Sequence, residues 1–426
     1  MTSPVELGVY VPVVLSGRMA FCCAFGLEVL VVDLPQRRED DSASPQVGES
    51  LTMELHLGPG RRVSGLATVA SLGSSPPGGF QRLHLDVTEL DDDGEERLSA
   101  FLSARRKDSH LDIVASRDVE AAHTRAGWDD VRLPHVALPE AHPDDANLGT
   151  TFLGRALAAP VLIAGMTGGT ERAGAVNRAL ARVAQELGLG MGLGSQRAMV
   201  EDPSLLSSFR VRAEAPDILL LANIGAVQLS HGVSADDCRR LVGEVEADAL
   251  AIHLNPLQEM IQPEGDRDWR NLRPLIETVV TSVGVPVVLK ETGCGLSGDM
   301  ALLAREMGVA AIDVGGTGGT AWGFIEGFRA ADEQHQAMGA TFRDWGIPTA
   351  EALDQCREAL GPDFPIIATG GVRHGLDVAR AIGLGANLAG MALPFFRAAD
   401  VSQDAALALG TRILEELRIA MFCAGA

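Results

Sequence analysis

From residue 160 to the C-terminus, short apolar runs alternate with longer amphipathic stretches, and eight such pairs follow one another over about 265 residues. The runs span residues 160–165, 188–194, 218–224, 249–255, 285–290, 310–315, 365–369 and 386–391. A run that is apolar at consecutive positions has both faces buried, as in a strand of a parallel sheet covered by helices. Helix-start signals recur in the intervening stretches: Thr170 with Glu171, Asp202-Pro203, Ser234 with Asp237 three residues on, and Ser402 with Asp404. Eight strand–helix units of this size predict an α/β fold, a (β/α)8 TIM barrel, whose chemistry lies at the C-terminal ends of its strands.

Residues 1–104 break the pattern. They show period-2 stretches at 51–57 and 83–87, turn-rich linkers at 37–46 and 73–79, and a short helical segment at 95–105. The expected organisation is therefore a small β-rich domain over 1–104 and the barrel over 105–426. The charge balance of −22 gives a long-range field that repels phosphate backbones, so nucleic acid is not expected as a partner. Six scattered cysteines form no CxxC pair and no cluster with histidine, which points to a reducing compartment without structural zinc. Residues 5–14 lack a basic leader and a cleavage site, and no apolar stretch reaches the ~18 residues that span a bilayer. The chain reads as cytoplasmic, with no membrane partner.

The barrel rule directs attention to the residues just after each run. Those positions hold Met166-Thr167-Gly168-Gly169, Ser195-Gln196-Arg197, Asn223, His253-Leu254-Asn255, Lys290-Glu291, a glycine-rich turn at 315–320, Gly370-Gly371-Val372-Arg373 and Gly390-Met391-Ala392-Leu393. Glycine-rich turns after strands seven and eight are where such barrels hold a phosphate on backbone N–H groups and a helix N-terminus. Of 35 basic residues only Lys107 and Lys290 are lysines. Where arginine serves every ordinary surface role, a retained lysine points to a need for a compact ammonium. Lys290 ends strand five, in position to stabilise an anionic ring or a developing oxyanion. Glu259, just past strand four, is either a solvated loop carboxylate or a Mg2+ ligand that shares the ion with substrate phosphates; its residue type alone leaves both open. Arg106-Lys107 with His110 forms a small basic cluster ahead of the barrel.

With these residues placed, 105–426 resembles the FMN-dependent, type 2 isopentenyl-diphosphate isomerase family. The resemblance is carried by Arg106-Lys107-Asp108-Ser109-His110, the motifs at 166–170, 191–197 and 223–225, the segment 253–259 with Gln262-Pro263-Glu264-Gly265-Asp266, and those at 313–320, 345–349 and 370–373. It implies FMN held by Met166, Thr167, Gly168, Ser195, Asn223, Lys290, Thr320, Gly371 and the turn ending in Ala392-Leu393. It implies a diphosphate substrate met by Arg106, Lys107, Ser195, Gln196, Arg197, Asn255 and Gln258, with Mg2+ on Glu259 and catalytic roles for His253, Gln258 and Lys290. The implied reaction converts isopentenyl to dimethylallyl diphosphate in isoprenoid biosynthesis. Reduced flavin acts as the acid–base group, NADPH only reduces it, and the enzyme is a homo-oligomer, a tetramer or octamer. Ser109 stands where the family pattern usually has Glu. The extension at 1–104 resembles a PilZ-type β-barrel in its strand at 48–51 and its helix at 98–102, but it lacks that family's RxxxR and serine–glycine signatures, so no ligand is assigned to it. Two other readings compete: an FMN-dependent 2-hydroxy acid dehydrogenase, which would need a His-Arg pair for a carboxylate, and a non-catalytic flavin sensor, which Gln258, Glu259 and Lys290 argue against.

Overall fold

The computed structural model describes residues 5–16, 18–25, 29–35, 45–58, 61–73, 80–95, 97–98, 110–330 and 332–426. The chain divides into two compact units, one built on residues 1–106 together with 329–336, the other on 107–328 and 337–426.

In the first unit, β1 (Val5–Leu15), β2 (Arg18–Phe25), β3 (Val29–Pro35), β4 (Ser50–Gly58), β5 (Arg61–Leu72) and β6 (Phe80–Leu90) close into an antiparallel barrel in the order β1-β2-β3-β6-β5-β4. Pairing of Val13 with Leu55 between β1 and β4 completes the ring. Period-2 patterning produces it: in β4, Leu51, Met53, Leu55 and Leu57 are buried while the residues between them are not. These leucines meet Val13, Leu15, Leu30, Val32, Leu83 and Leu85 in one apolar core. The carboxylate of Asp33, on β3, is nearly fully buried and is satisfied across the ladder by the guanidinium of Arg82, with Nε to Oδ1 at 2.7 Å and Nη2 to Oδ2 at 2.8 Å.

The second unit is a closed parallel barrel of eight strands: β9 (Val161–Ile163), β10 (Gly190–Gly192), β11 (Leu220–Gly225), β12 (Ala249–Leu254), β13 (Val287–Glu291), β14 (Ala311–Asp313), β15 (Ile366–Thr369) and β16 (Leu388–Met391), with β16 pairing back to β9. Each strand falls inside one of the eight apolar runs, trimmed or extended by a residue or two at its ends. The crossover helix Glu171–Leu187 shows how the sequence sets these units. Thr170 Oγ1 accepts the Ala173 N–H at 3.1 Å, Val176, Leu180, Val183 and Ala184 form the buried stripe, and Gly188 at φ 64° ends the helix. Ser234 with Asp237 forms a reciprocal capping box, and Ser402 caps the helix Gln403–Ala424. Asp202-Pro203 starts a 3-10 helix, Pro203–Ser208, where a longer crossover helix was expected.

A short hairpin, β7 (Thr150–Phe152) and β8 (Arg155–Leu157), precedes the barrel. Its Phe152 and Leu157 pack with Leu162, Leu221, Val288, Ile367 and Leu388, inward-facing residues from around the barrel, and together they plug the N-terminal end of the lumen. Among the described residues no helix is long and apolar enough to cross a membrane.

Candidate active site

Two positions beyond the apolar plug, the same inward-facing side of the strands turns polar. Asn223 (β11), His253 (β12), Lys290 (β13), Asp313 (β14) and Thr369 (β15) ring the C-terminal mouth, each following an inward apolar residue by the strand period of two. Between ring and plug lies a small cavity, whose walls are Ala164, Gly165, Gly192, Ala222, Ala251, Asn223, Lys290 and Asp313 among others. Small side chains at this level are what leave the space.

Lys290 Nζ donates to Asp313 Oδ2 at 2.8 Å, to the Glu291 carbonyl at 3.0 Å and to Thr369 Oγ1 at 3.1 Å, while the Thr369 hydroxyl donates to Asp313 Oδ1 at 2.6 Å. The ammonium is thus fixed at the lumen mouth by a closed triangle. Asn223 is fixed as well: its N–H donates to Gln196 Oε1 at 2.9 Å and its Nδ2 to the Leu193 carbonyl at 3.0 Å. Its Oδ1 is therefore the acceptor for His253 Nδ1–H, 2.9 Å away, and the ring is also hydrogen-bonded to the Ile224 backbone. Burial, reinforced by the Lys290 charge, pushes the imidazole down to about 4, so His253 is neutral at pH 7 and brings no cation to a diphosphate.

Just beyond β12 the helix Pro256–Ile261 starts at Asn255, and Pro256 at its first position suits a turn with no N–H to donate. One helical turn carries the rest. Asn255 Nδ2 donates to Glu259 Oε1 at 2.9 Å and to Gln258 Oε1 at 3.2 Å; Gln258 Nε2 donates to Glu326 Oε1 at 2.7 Å. Glu259 Oε2 accepts the Asp266 N–H at 2.9 Å, and Asp266 in turn holds Arg197, whose Nη1 lies 2.9 Å from Oδ2. Glu326, in the helix Trp322–Arg329, is wholly buried, and His110 Nε2 lies 3.0 Å from its Oε1. A second small pocket opens beside this turn, lined by Asn255, Gln258 and Glu291 and by Trp322, Phe342 and Trp345. Glu291 holds its wall: one carboxylate oxygen accepts the N–H groups of Gly293, Cys294 and Gly295.

The glycine-rich turns meet at the same mouth. A Cβ on Gly319 would stand 2.4 Å from Gly371 N, and one on Gly371, at φ 64°, would stand 2.4 Å from Ala126 Cβ, so neither position admits a side chain. Trp128 Nε1 donates to the Gly370 carbonyl at 3.3 Å, and Ala121 N–H and Val119 carbonyl pair with Gly319 and Ala321 to hold the turn that contains Thr320. The helix Leu393–Val401 starts at Ala392 without a side-chain cap, leaving its first backbone donors available to an anion. Across the mouth, a Cβ on Gly168 would stand 1.9 Å from the Phe209 ring, so the 166–169 loop packs flat. Asn177 Nδ2 ties the Thr167 carbonyl to the Ser208 carbonyl, at 3.2 and 3.0 Å.

The structure thus gathers Asn223, His253, Asn255, Gln258, Glu259 and Lys290 around the mouth, and places Met166, Thr167, Gly168, Ser195, Thr320, Gly371, Ala392 and Leu393 on the turns that border it. Gln196 is wholly buried and supports Asn223; Arg197 is engaged by Glu201 and Asp266. Arg106 and Lys107 lie outside the described residues. Sequence reading did not single out Asp313, Thr369 or Glu326. The first two were within reach, since each stands two positions after an inward apolar residue; Glu326 is brought to Gln258 only by tertiary packing. The uncapped helix start and the side-chain-free glycine turns fit a flavin phosphate. No group of three or more His, Cys, Asp or Glu side chains that could hold a metal occurs among the described residues. The buried carboxylate of Glu259 suits Mg2+, which keeps waters and takes oxygens from a phosphate ligand.

Residues 223–426 match the family model of FMN-dependent dehydrogenases. Lactate oxidase of Pediococcus acidilactici shares the fold at TM-score 0.53 and 16% identity, over 77% of this chain and 89% of its own. Barrel, turns and family model together define a (β/α)8 flavoprotein. Isopentenyl-diphosphate delta-isomerase of Nostoc sp. is 47% identical over 75% of this chain and 91% of its own length, and the Synechococcus sp. protein of that name is 50% identical over 75% and 91%. The chain belongs to the type 2, FMN-dependent isopentenyl-diphosphate isomerase family.

Proposed function

We propose that this protein isomerises isopentenyl diphosphate to dimethylallyl diphosphate with FMN and Mg2+. The observation that carries the reading is one short helix after β12 that carries Asn255, Gln258 and Glu259 in one hydrogen-bonded group, in a chain 45–50% identical to proteins of that name. When bound, reduced FMN supplies the acid–base group for moving a proton across an alkene without net redox change. Lys290, held by Asp313 and Thr369, places a fixed positive charge where it favours an anionic reduced ring. Gln258 is oriented by Glu326 on one side and Asn255 on the other, so its amide cannot turn over without facing acceptor to acceptor. Glu259 holds Mg2+ at the diphosphate end, and Arg106 and Lys107 complete the anchoring of the diphosphate. Neutral His253 brings no positive charge to the diphosphate. The aromatic side chains of Trp322, Phe342 and Trp345 receive the hydrocarbon.

The same reading takes NADPH as reductant of the flavin, a tetramer or octamer as the assembly, the cytoplasm as its place, and 1–104 as a domain outside the catalytic unit. The deciding assay is anaerobic turnover of isopentenyl diphosphate with Mg2+, comparing dithionite-reduced and oxidised FMN. Dimethylallyl diphosphate forms only with reduced flavin. Equal turnover with oxidised flavin, or NADPH consumed stoichiometrically with product, removes the proposal.

A further inference from the structure

Asn255 is 4% exposed, and its Oδ1 is a buried acceptor with no hydrogen-bond partner. Leaving such a group unsatisfied is costly in a folded protein, so it marks a place where something binds. The orientation of the amide is not arbitrary. Both Nδ2 hydrogens are used, one on Glu259 Oε1 at 2.9 Å and one on Gln258 Oε1 at 3.2 Å. Gln258 is itself locked, because its Nε2 donates to Glu326 Oε1 at 2.7 Å. Turning over the Asn255 amide would set its oxygen against two acceptors, so Oδ1 is an acceptor and only an acceptor.

A diphosphate offers almost nothing but acceptors at neutral pH, and a prenyl chain offers no donor. An Asn255 Oδ1–phosphate contact would therefore set oxygen against oxygen. The partner has to be a donor or a cation, and the same amide is bonded to Glu259, so whatever Glu259 holds is its neighbour. Mg2+ dehydrates reluctantly and keeps several waters, each of them a strengthened donor. We infer that Asn255 Oδ1 is the outer-sphere acceptor of a Mg2+-bound water, making Asn255 part of the metal site and not a direct diphosphate ligand. Its two N–H groups orient the carboxylate that binds the ion, and its oxygen holds the hydration shell. The inference rests on the reading of Glu259 as the Mg2+ ligand.

The test uses the full-length FMN-loaded protein with Mn2+ as the probe and inorganic pyrophosphate as the companion ligand. Free Mn2+ is followed by electron paramagnetic resonance and flavin content by absorbance. Asn255→Ala is expected to keep FMN and weaken Mn2+ binding tenfold or more. Asn255→Asp keeps an acceptor at the same place but sets a carboxylate against Glu259, so its melting temperature is expected to rise on Mn2+ addition by more than that of the wild type. That second measurement stands even where Asn255→Ala yields no folded protein. Mn2+ affinity of Asn255→Ala within twofold of wild type overturns the inference, as does a Mn2+-induced rise for Asn255→Asp no larger than wild type. Loss of FMN with unchanged Mn2+ affinity overturns it too and assigns the oxygen to a flavin hydroxyl. Wild-type protein without saturable Mn2+ binding sinks the Glu259 reading and this inference together; Glu259→Gln losing Mn2+ while Asn255→Ala keeps it sinks this inference alone.

Discussion

The two closed barrels of this chain have opposite interiors. In the six-stranded antiparallel barrel, inward positions carry Leu, Val and Met along the strands, and Leu30, Leu55, Leu83 and Leu85 are fully buried in its core. In the eight-stranded parallel barrel, bulky inward residues fill only the N-terminal end, and alanine, glycine and a polar ring come after them. More strands widen the ring, but width alone does not make a site. The lesson lies in the step along each strand from an apolar inward residue to Asn223, Lys290, Asp313 or Thr369. A barrel filled along its length is a scaffold; one whose packing changes character partway up has room for a ligand and groups to hold it.

The sharpest way to break this contrast is Glu259→Gln, which keeps shape and removes the anionic ligand. We expect kcat/KM to fall about a thousandfold, about 4 kcal/mol of transition-state stabilisation, with FMN absorbance unchanged. Undiminished activity and an unchanged Mg2+ titration would take Glu259 out of the site. Next comes Leu55→Ala in the filled barrel. A buried leucine cut to alanine costs about 2–5 kcal/mol, so residues 1–104 should become protease-sensitive while the flavin stays bound. Flavin loss in step with that proteolysis would show that the filled barrel supports the site.

A smaller effect is read by pH. His253 has a folded-state value of about 4 against an ordinary 6.5. Between these values the unfolded chain binds the extra proton and the folded one does not, so stability is full above about pH 6.5 and falls as pH drops towards 4. The loss approaches about 3 kcal/mol. His253→Asn should flatten this part of the acid limb in denaturant titrations at pH 4.5 and 7; an unaltered slope would place the proton elsewhere. The smallest effect is expected from deletion. A chain beginning at Ser103 should bind FMN within about twofold of full length by fluorescence titration, and a flavin-free product would move the domain boundary.

The parallel barrel was the more legible of the two. Strands apolar on both faces stand out as runs, and caps such as Thr170 and Ser234 are local, so order and position could be read directly. The antiparallel barrel gave its strands away by alternation at 51–57 and 83–87, but its closure depends on β1 meeting β4 across some forty residues, which no local pattern records. In the site, Asn223, His253 and Lys290 end apolar runs and were visible. Asp313 was hidden inside a motif read for its glycines, and Thr369 as the last residue of a run read for its apolar character. The pairing of Glu326 and His110 with Gln258 joins three separate segments, and only tertiary packing brings them together.

The Lys290 triangle also has a meaning for covalent chemistry. An amine-selective reagent finds only two lysine side chains in the whole sequence, Lys107 and Lys290. Lys290 has all three N–H donors committed and little exposure, so an electrophile has poor access to its nitrogen. Acylation followed by mass spectrometry therefore becomes a recorder of the mouth, with modification of Lys290 reporting opening of the Asp313–Thr369 clasp.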